Sequence, residues 1–135
     1  MIRKQVQFLV IILILSSCQP VAEHQLDINQ NWEFRQADKD KWYPSSVPNS
    51  VHTDLLNNGL VDDPFYKTNE KKLQWIEKAD WEYQTTFTLS EEMRSDDHIE
   101  INFAGLDTYA DVYLNDSLII KANNMFRSWQ AEITD

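Results

Sequence analysis

An all-β fold, a sandwich of the jelly-roll kind, is what this sequence predicts, and three observations predict it. Three short runs alternate apolar and polar residues with period two: Tyr83 to Leu89, Ile99 to Phe103 and Ala110 to Leu114. A dipeptide tolerant of positive φ, Asn115-Asp116, separates the last of these from a further strand-like stretch, Ser117 to Lys121, so a tight hairpin is expected there. A single segment departs from the pattern with helical spacing, and Pro44, Pro48 and Pro64 frame it in extended loop.

In chain order, the first element is a leader. Arg3 and Lys4 form a basic start, an apolar run from Phe8 to Leu15 follows, and Ser16-Ser17 precede Cys18. That order of basic region, apolar region and small residues before a cysteine reads as a bacterial lipoprotein signal over residues 1–17, with Cys18 lipidated and made the new N-terminus. The apolar run is too short to span a bilayer. A buried free cysteine or an ordinary secretory signal are the competing readings. Cys18 is the only cysteine, so an exported chain has no intrachain disulfide and rests on packing alone. Residues 18–25 are expected to be a tether, and residues 26–135 a β-domain.

Within that domain two weaker strands are expected around Leu26 to Ile28 and Trp32 to Phe34. The helix is expected from Val51 to Asn57: Asn49-Ser50 offer N-cap side chains, Val51/Leu55 and His52/Leu56 sit four apart, and Gly59 stands where a C-cap glycine belongs. The three alternating runs then supply half-buried strands rich in β-branched and aromatic residues. Six strands are legible where sandwiches of this kind use about seven to nine. Ile133-Thr134-Asp135 read as the start of another, so the sheet is expected to be incomplete at the C-terminus and the natural domain to continue past Asp135.

The formal net charge is −10, and removing residues 1–17 takes away two basic residues and no acidic ones, which brings it to −12. Such a surface argues against a nucleic-acid partner. It also argues against attraction to anionic membrane surfaces, leaving the lipid anchor as the only evident membrane attachment. Gln19 after the cysteine, in place of an aspartate, favours an exported, periplasmic or surface location on the outer membrane.

Residues that could carry chemistry are sparse. His24, His52 and His98 are far apart with no partner at metal-ligand spacing, so each is read as satisfied or solvated and no metal or cofactor is expected. No glycine-rich phosphate loop or Gly-x-Ser-x-Gly occurs. The carboxylate pairs Asp62-Asp63, Glu91-Glu92 and Asp96-Asp97 are adjacent in sequence, whereas a glycosidic pair must face each other across a cleft at about 5 to 9 Å; turn and loop solvation is the stronger account. Tyr83 and Phe87 read as core, while Trp75, Trp81 and Trp129 are left open between packing and the stacking that tryptophan faces offer sugar rings.

Four stretches, taken together, resemble the N-terminal domain of β-mannosidases of glycoside hydrolase family 2. They are Val47-Pro48-Asn49-Ser50-Val51-His52-Thr53-Asp54-Leu55-Leu56; Asp63-Pro64-Phe65-Tyr66-Lys67-Thr68-Asn69-Glu70; Trp75-Ile76 with Asp80-Trp81-Glu82-Tyr83; and Gly105 to Asn115 followed by Asn124-Met125-Phe126. The resemblance implies a galactose-binding-like jelly roll at the front of a larger exo-acting, retaining enzyme that removes terminal β-linked mannose from glycans. In that family the two catalytic glutamates lie in a (β/α)8 barrel. These 135 residues hold no such barrel, nor the family's later Trp-Asp-Trp-Gly stretch, so no residue here inherits a catalytic role. One substrate contact carries over by resemblance: Asn69, whose amide can donate to and accept from sugar hydroxyls. The competing reading is a loop residue satisfying its own turn. Asn49 stands where the family commonly has glycine, and its tolerance of positive φ is expected to preserve the turn. The alternatives to a mannosidase domain are a stand-alone carbohydrate-binding lipoprotein module, or an interaction domain with no sugar ligand.

Overall fold

The computed structural model describes residues 23–134. The expected signal peptide, the lipidated Cys18, most of the tether and Asp135 lie outside the described residues. Seven strands and a few short helices make up the rest. The strands are β1 (Trp32–Gln36), β2 (Tyr43–Ser45), β3 (Trp81–Gln84), β4 (Glu100–Phe103), β5 (Ala110–Leu114), β6 (Ser117–Ala122) and β7 (Trp129–Glu132); the α-helices are α1 (Val51–Asn57), α2 (Asn69–Lys72) and α3 (Glu91–Arg94), with a 3-10 turn over Ile76–Lys78. All pairing is antiparallel: β2-β1-β3 form a three-stranded sheet, and β4-β7 and β5-β6 are two-stranded.

Helix α1 keeps its expected bounds because its ends are chemically specified. Ser50 holds extended φ/ψ and its side chain accepts from the Thr53 N–H. At the other end Gly59 takes φ +65, and the Leu60 N–H bonds the Leu55 carbonyl while the Gly59 N–H bonds that of Leu56, which satisfies carbonyls that an exposed helix end would leave open. The β5–β6 hairpin closes through Asn115 and Asp116 at φ 47 and 65, as expected from their tolerance of the left-handed region.

Several expectations need correction. Leu26 to Ile28 is not a strand; it has no ladder partner, and the Ile28 carbonyl instead accepts from the Trp32 indole at 2.7 Å. The alternation through Leu89 outruns β3, which stops at Gln84 because its pairing with β1 ends at Glu33; beyond it the Thr85 hydroxyl donates to the Gln30 carbonyl at 3.1 Å. The final strand begins earlier than expected, at Trp129, and pairs with β4 from Phe103↔Trp129 to Glu100↔Glu132. Ile133 and Thr134 lie past its end, tied to Ile99 by bonds of 2.8 Å. β2 was not legible because Pro44 sits at its centre; as an edge strand it tolerates the missing N–H. Three short helices replace the single one expected, two of them being four-residue turns too brief to show periodicity.

The core lies in the first half. Phe34 on β1 is fully buried, surrounded by Leu55 of α1 and Leu73 and Ile76 of the following segment, with Tyr43, Val51, Val61, Trp81 and Tyr83 packed around them. Phe34 stacks on Tyr83 at 5.8 Å between centroids and meets Tyr43 and Trp81 at 6.1 Å. In the second half only Ile120 and Ala122 of β6 are buried apolar residues.

Candidate functional site

The segment between α1 and β3 carries the residues singled out for sugar contact. Its turns are built by Asp63: the carboxylate Oδ1 accepts from the Phe65 N–H at 2.9 Å, and the backbone carbonyl accepts from the Tyr66 N–H at 3.1 Å. Lys67 then takes φ 55, a left-handed conformation that a non-glycine residue adopts only when its surroundings impose it. The chain turns directly into α2, whose first residue is Asn69. Phe65 and Tyr66 are thrown outward, and the Lys67 ammonium lies 4.8 Å from the centre of the Tyr66 ring.

Asn69 is 8% exposed. Its Nδ2 donates to the Asp63 carbonyl at 3.0 Å, and its Oδ1 accepts from Lys72 Nζ at 3.2 Å. One N–H and one lone pair remain. They belong to a side chain that lines an open cavity of about 280 Å³ together with Leu60, Asp62, Lys72 and Trp75. The amide thus braces its own loop and also borders a cavity.

Trp75 is the undecided tryptophan that stays open to solvent, at 42% exposure, with its ring 5.9 Å from that of Trp81. Trp81 packs into the core and donates from its indole to the Ile76 carbonyl at 3.0 Å. Trp129 is turned to its own loop: it donates to the Asn124 carbonyl at 3.0 Å under the Arg127 guanidinium. Tyr83 joins the core as expected, while Phe87 is half-buried outside any strand.

The remaining candidates fall into local roles. Glu91 and Glu92 occupy the first turn of α3, behind the Ser90 N-cap, and the N–H groups there hold the Glu92 carboxyl below its usual range. Asp96 lies 3.0 Å from His24, and His98 sits between Glu132 at 3.3 Å and Glu100 at 3.6 Å. His52 is exposed on α1. Among the described residues no group of three or more His, Cys, Asp or Glu is placed to hold a metal ion.

A residue that sequence reasoning passed over is Asp54, 1% exposed on α1. Its carboxylate accepts from Ser45 Oγ at 2.8 Å, Asn49 Nδ2 at 2.8 Å and Tyr83 Oη at 3.0 Å, tying β2, the Val47–Ser50 turn, α1 and β3 to one point. Burial, with the Asp54 charge beside it, holds the Tyr83 phenol protonated well above its usual range. The signal was present: Asp54 falls beside Val51 and Leu55 on the helical face that packs against the core. Asn49 also differs from expectation. It is not among the residues of positive φ, and it acts through its side chain on Asp54 and on Ser46 Oγ at 3.2 Å.

Residues 32–135 match the family described as glycosyl hydrolase 2 galactose-binding domain-like. The chain is 44% identical over 115 residues to "Beta-mannosidase B" of Thermothelomyces thermophilus, covering 81% of this chain and 13% of that protein. With the β-mannosidase of Bos taurus it shares 33% over 109 residues, covering 81% and 12%. A crystal structure of β-D-mannosidase from Dictyoglomus thermophilum superposes with a TM-score of 0.80 at 39% identity, over 82% of this chain and 14% of that one. The chain therefore spans 12 to 14% of the length of these relatives. The superposition establishes the galactose-binding-like fold that the family resemblance implied, a β-rich fold as the strand pattern led one to expect. By the match over residues 32–135, the chain belongs to glycosyl hydrolase family 2 through its N-terminal galactose-binding-like domain, and the relatives it resembles are β-mannosidases.

Proposed function

We propose that this domain serves an exo-acting β-mannosidase that hydrolyses terminal β-linked mannose from glycans, and that the protein is exported and held at the outer membrane by a lipid on Cys18. The observation that carries the mannosidase reading is the 44% identity to a β-mannosidase across the galactose-binding-like domain. The leader of residues 1–17 supports export and lipidation. Residue chemistry divides the labour. The carboxylate pairs found here are each adjacent in the chain and do not face each other across a cleft, so the acid/base and nucleophile come from outside these 135 residues. The domain's own part is to present Asn69. Its loop is rigidified by Asp63 and Lys72, so the amide meets a sugar hydroxyl already oriented and little freedom is lost on binding.

The test uses the full-length enzyme with its native leader, assayed on an aryl β-mannoside. Asn69→Ala is expected to lower kcat/KM by about ten-fold, the order of one lost hydrogen bond to substrate, with the unfolding transition in place. Activity is expected in the membrane fraction and should move to the soluble exported fraction in Cys18→Ala. Absence of β-mannoside hydrolysis by the full-length protein would sink the mannosidase reading. Unchanged kinetics would remove Asn69 from the site, and unchanged partitioning would remove the anchor.

A further inference from the structure

The cavity beside Asn69 has the composition of a sugar-ring site, with an aromatic ring and both charged and amide groups in its lining. One wall is the Trp75 indole, 42% exposed and in tilted contact, at 5.9 Å, with Trp81, which is itself held by its bond to the Ile76 carbonyl. A flat, amphipathic ring held by a neighbouring ring loses little freedom when a ligand covers it. Opposite in chemistry are three polar groups: the Asn69 amide with one donor and one acceptor free, the Lys72 ammonium with hydrogens to spare, and the Asp62 carboxylate, which has no hydrogen-bond partner among the described residues. Positive and negative charge balance here, so the lining favours a neutral ligand rich in hydroxyls over an anion or a cation. A volume of about 280 Å³ is just under the range of roughly 300 to 1,000 Å³ typical of small-molecule sites, and leaves room for one ring rather than a chain of them.

The other cavity, about 500 Å³ along the β5–β6 hairpin, is larger but poorer. Its charged groups, Asp111 and Lys121, pair with each other at 3.6 Å, and its aromatic wall, Tyr109, stands almost free of the protein.

We propose that the cleft between the loop after α1 and helix α2 is a monosaccharide subsite, in which Trp75 stacks on the apolar face of a pyranose while Asp62, Asn69 and Lys72 bind its hydroxyls. This deepens the reading of Asn69 as a sugar contact and rests on it. It adds Trp75 as the group that sets affinity and Asp62 as the acceptor that no neighbour occupies.

The experiment is a titration of the 135-residue chain with methyl β-D-mannoside, followed by NMR on the indole N–H of Trp75 and the side-chain amide of Asn69. Both signals are expected to shift saturably. Followed through the Asn69 amide, Trp75→Ala is expected to weaken binding by about ten-fold and Trp75→Phe by less; Asp62→Asn, an exposed change that leaves the fold intact, should weaken it several-fold. Saturable shifts confined to other parts of the chain, no shift at all, or a Trp75→Ala chain that binds as tightly as the parent would overturn the subsite. Loss of binding in Asn69→Ala with no change in Trp75→Ala and Asp62→Asn would keep Asn69 as a sugar contact and discard this cleft.

Discussion

Phe34 and Phe126 are the same residue type, and the fold treats them in opposite ways: Phe34 is 0% exposed and Phe126 is 90% exposed. The difference extends to the halves they belong to. Around Phe34 a three-stranded sheet is covered on one face by α1 and the segment through Ile76, so four apolar side chains close on one another and the aromatic rings of Tyr43, Trp81 and Tyr83 seal the edge. The β4–β7 and β5–β6 ribbons have two strands each and only Ile120 and Ala122 buried, with Tyr109, Tyr113, Leu118, Met125 and Phe126 left open. A two-stranded ribbon has no second layer to bury its apolar face and is marginal by itself. What this teaches is that covering layers, more than strand content, decide where this domain is stable. The loop that carries Asn69 hangs from the covered half, anchored at both ends by core residues.

Phe34→Ala should destabilise the chain by about 3 to 5 kcal/mol, because a cavity opens where no neighbour can relax into it, whereas Phe126→Ala should stay within about 0.5 kcal/mol. Urea unfolding of the two variants measures both; equal effects would mean that the halves do not differ in packing. Next in size is Asp54→Ala. It removes the acceptor shared by Ser45, Asn49 and Tyr83 and should cost about 1 to 3 kcal/mol, since Tyr83 is left without a partner while Ser45 and Asn49 can turn toward water. A loss below a few tenths would show that the network is not what binds α1 to the sheet.

The smallest effect is on pH dependence. Tyr83 has its folded pKa raised above the ordinary 10.0, first by burial and then by Asp54. The folded state therefore keeps a proton that the unfolded chain releases. Tyr83 contributes stability that is fully present below pH 10.0 and is lost as pH rises beyond it. Thermal unfolding measured from pH 8 upward should fall off above about 10 in the parent chain and less steeply in Tyr83→Phe; parallel curves would show that this phenol is not shielded.

Local chemistry explains which features were legible. Ser50 and Gly59 bound α1, and Asn115-Asp116 close a hairpin, because the groups that set those conformations are neighbours in the chain. The four stretches from Val47 to Phe126 carried the family and the galactose-binding-like fold for a related reason: they are runs of adjacent residues. Other features depended on partners distant in sequence. Tyr83 to Leu89 alternates throughout, yet β3 ends at Gln84, where its pairing with β1 runs out at Glu33. Trp129, Ala131 and Ile133 alternate with Gln130, Glu132 and Thr134, yet where that strand begins and ends is set by β4 beside it.

The candidate site divides along the same line. Its residue types, an asparagine after Pro64-Phe65-Tyr66 and an uncommitted Trp75, could be read in the sequence alone. That Asn69 is braced by Asp63 and Lys72 and borders a cleft walled by Trp75, and that Asp54 is a buried junction, follows from how the segments pack in the folded chain. Hydrogen-bond partners and burial are set by which surfaces pack together, and Asp54 meets Tyr83 across 29 residues of chain.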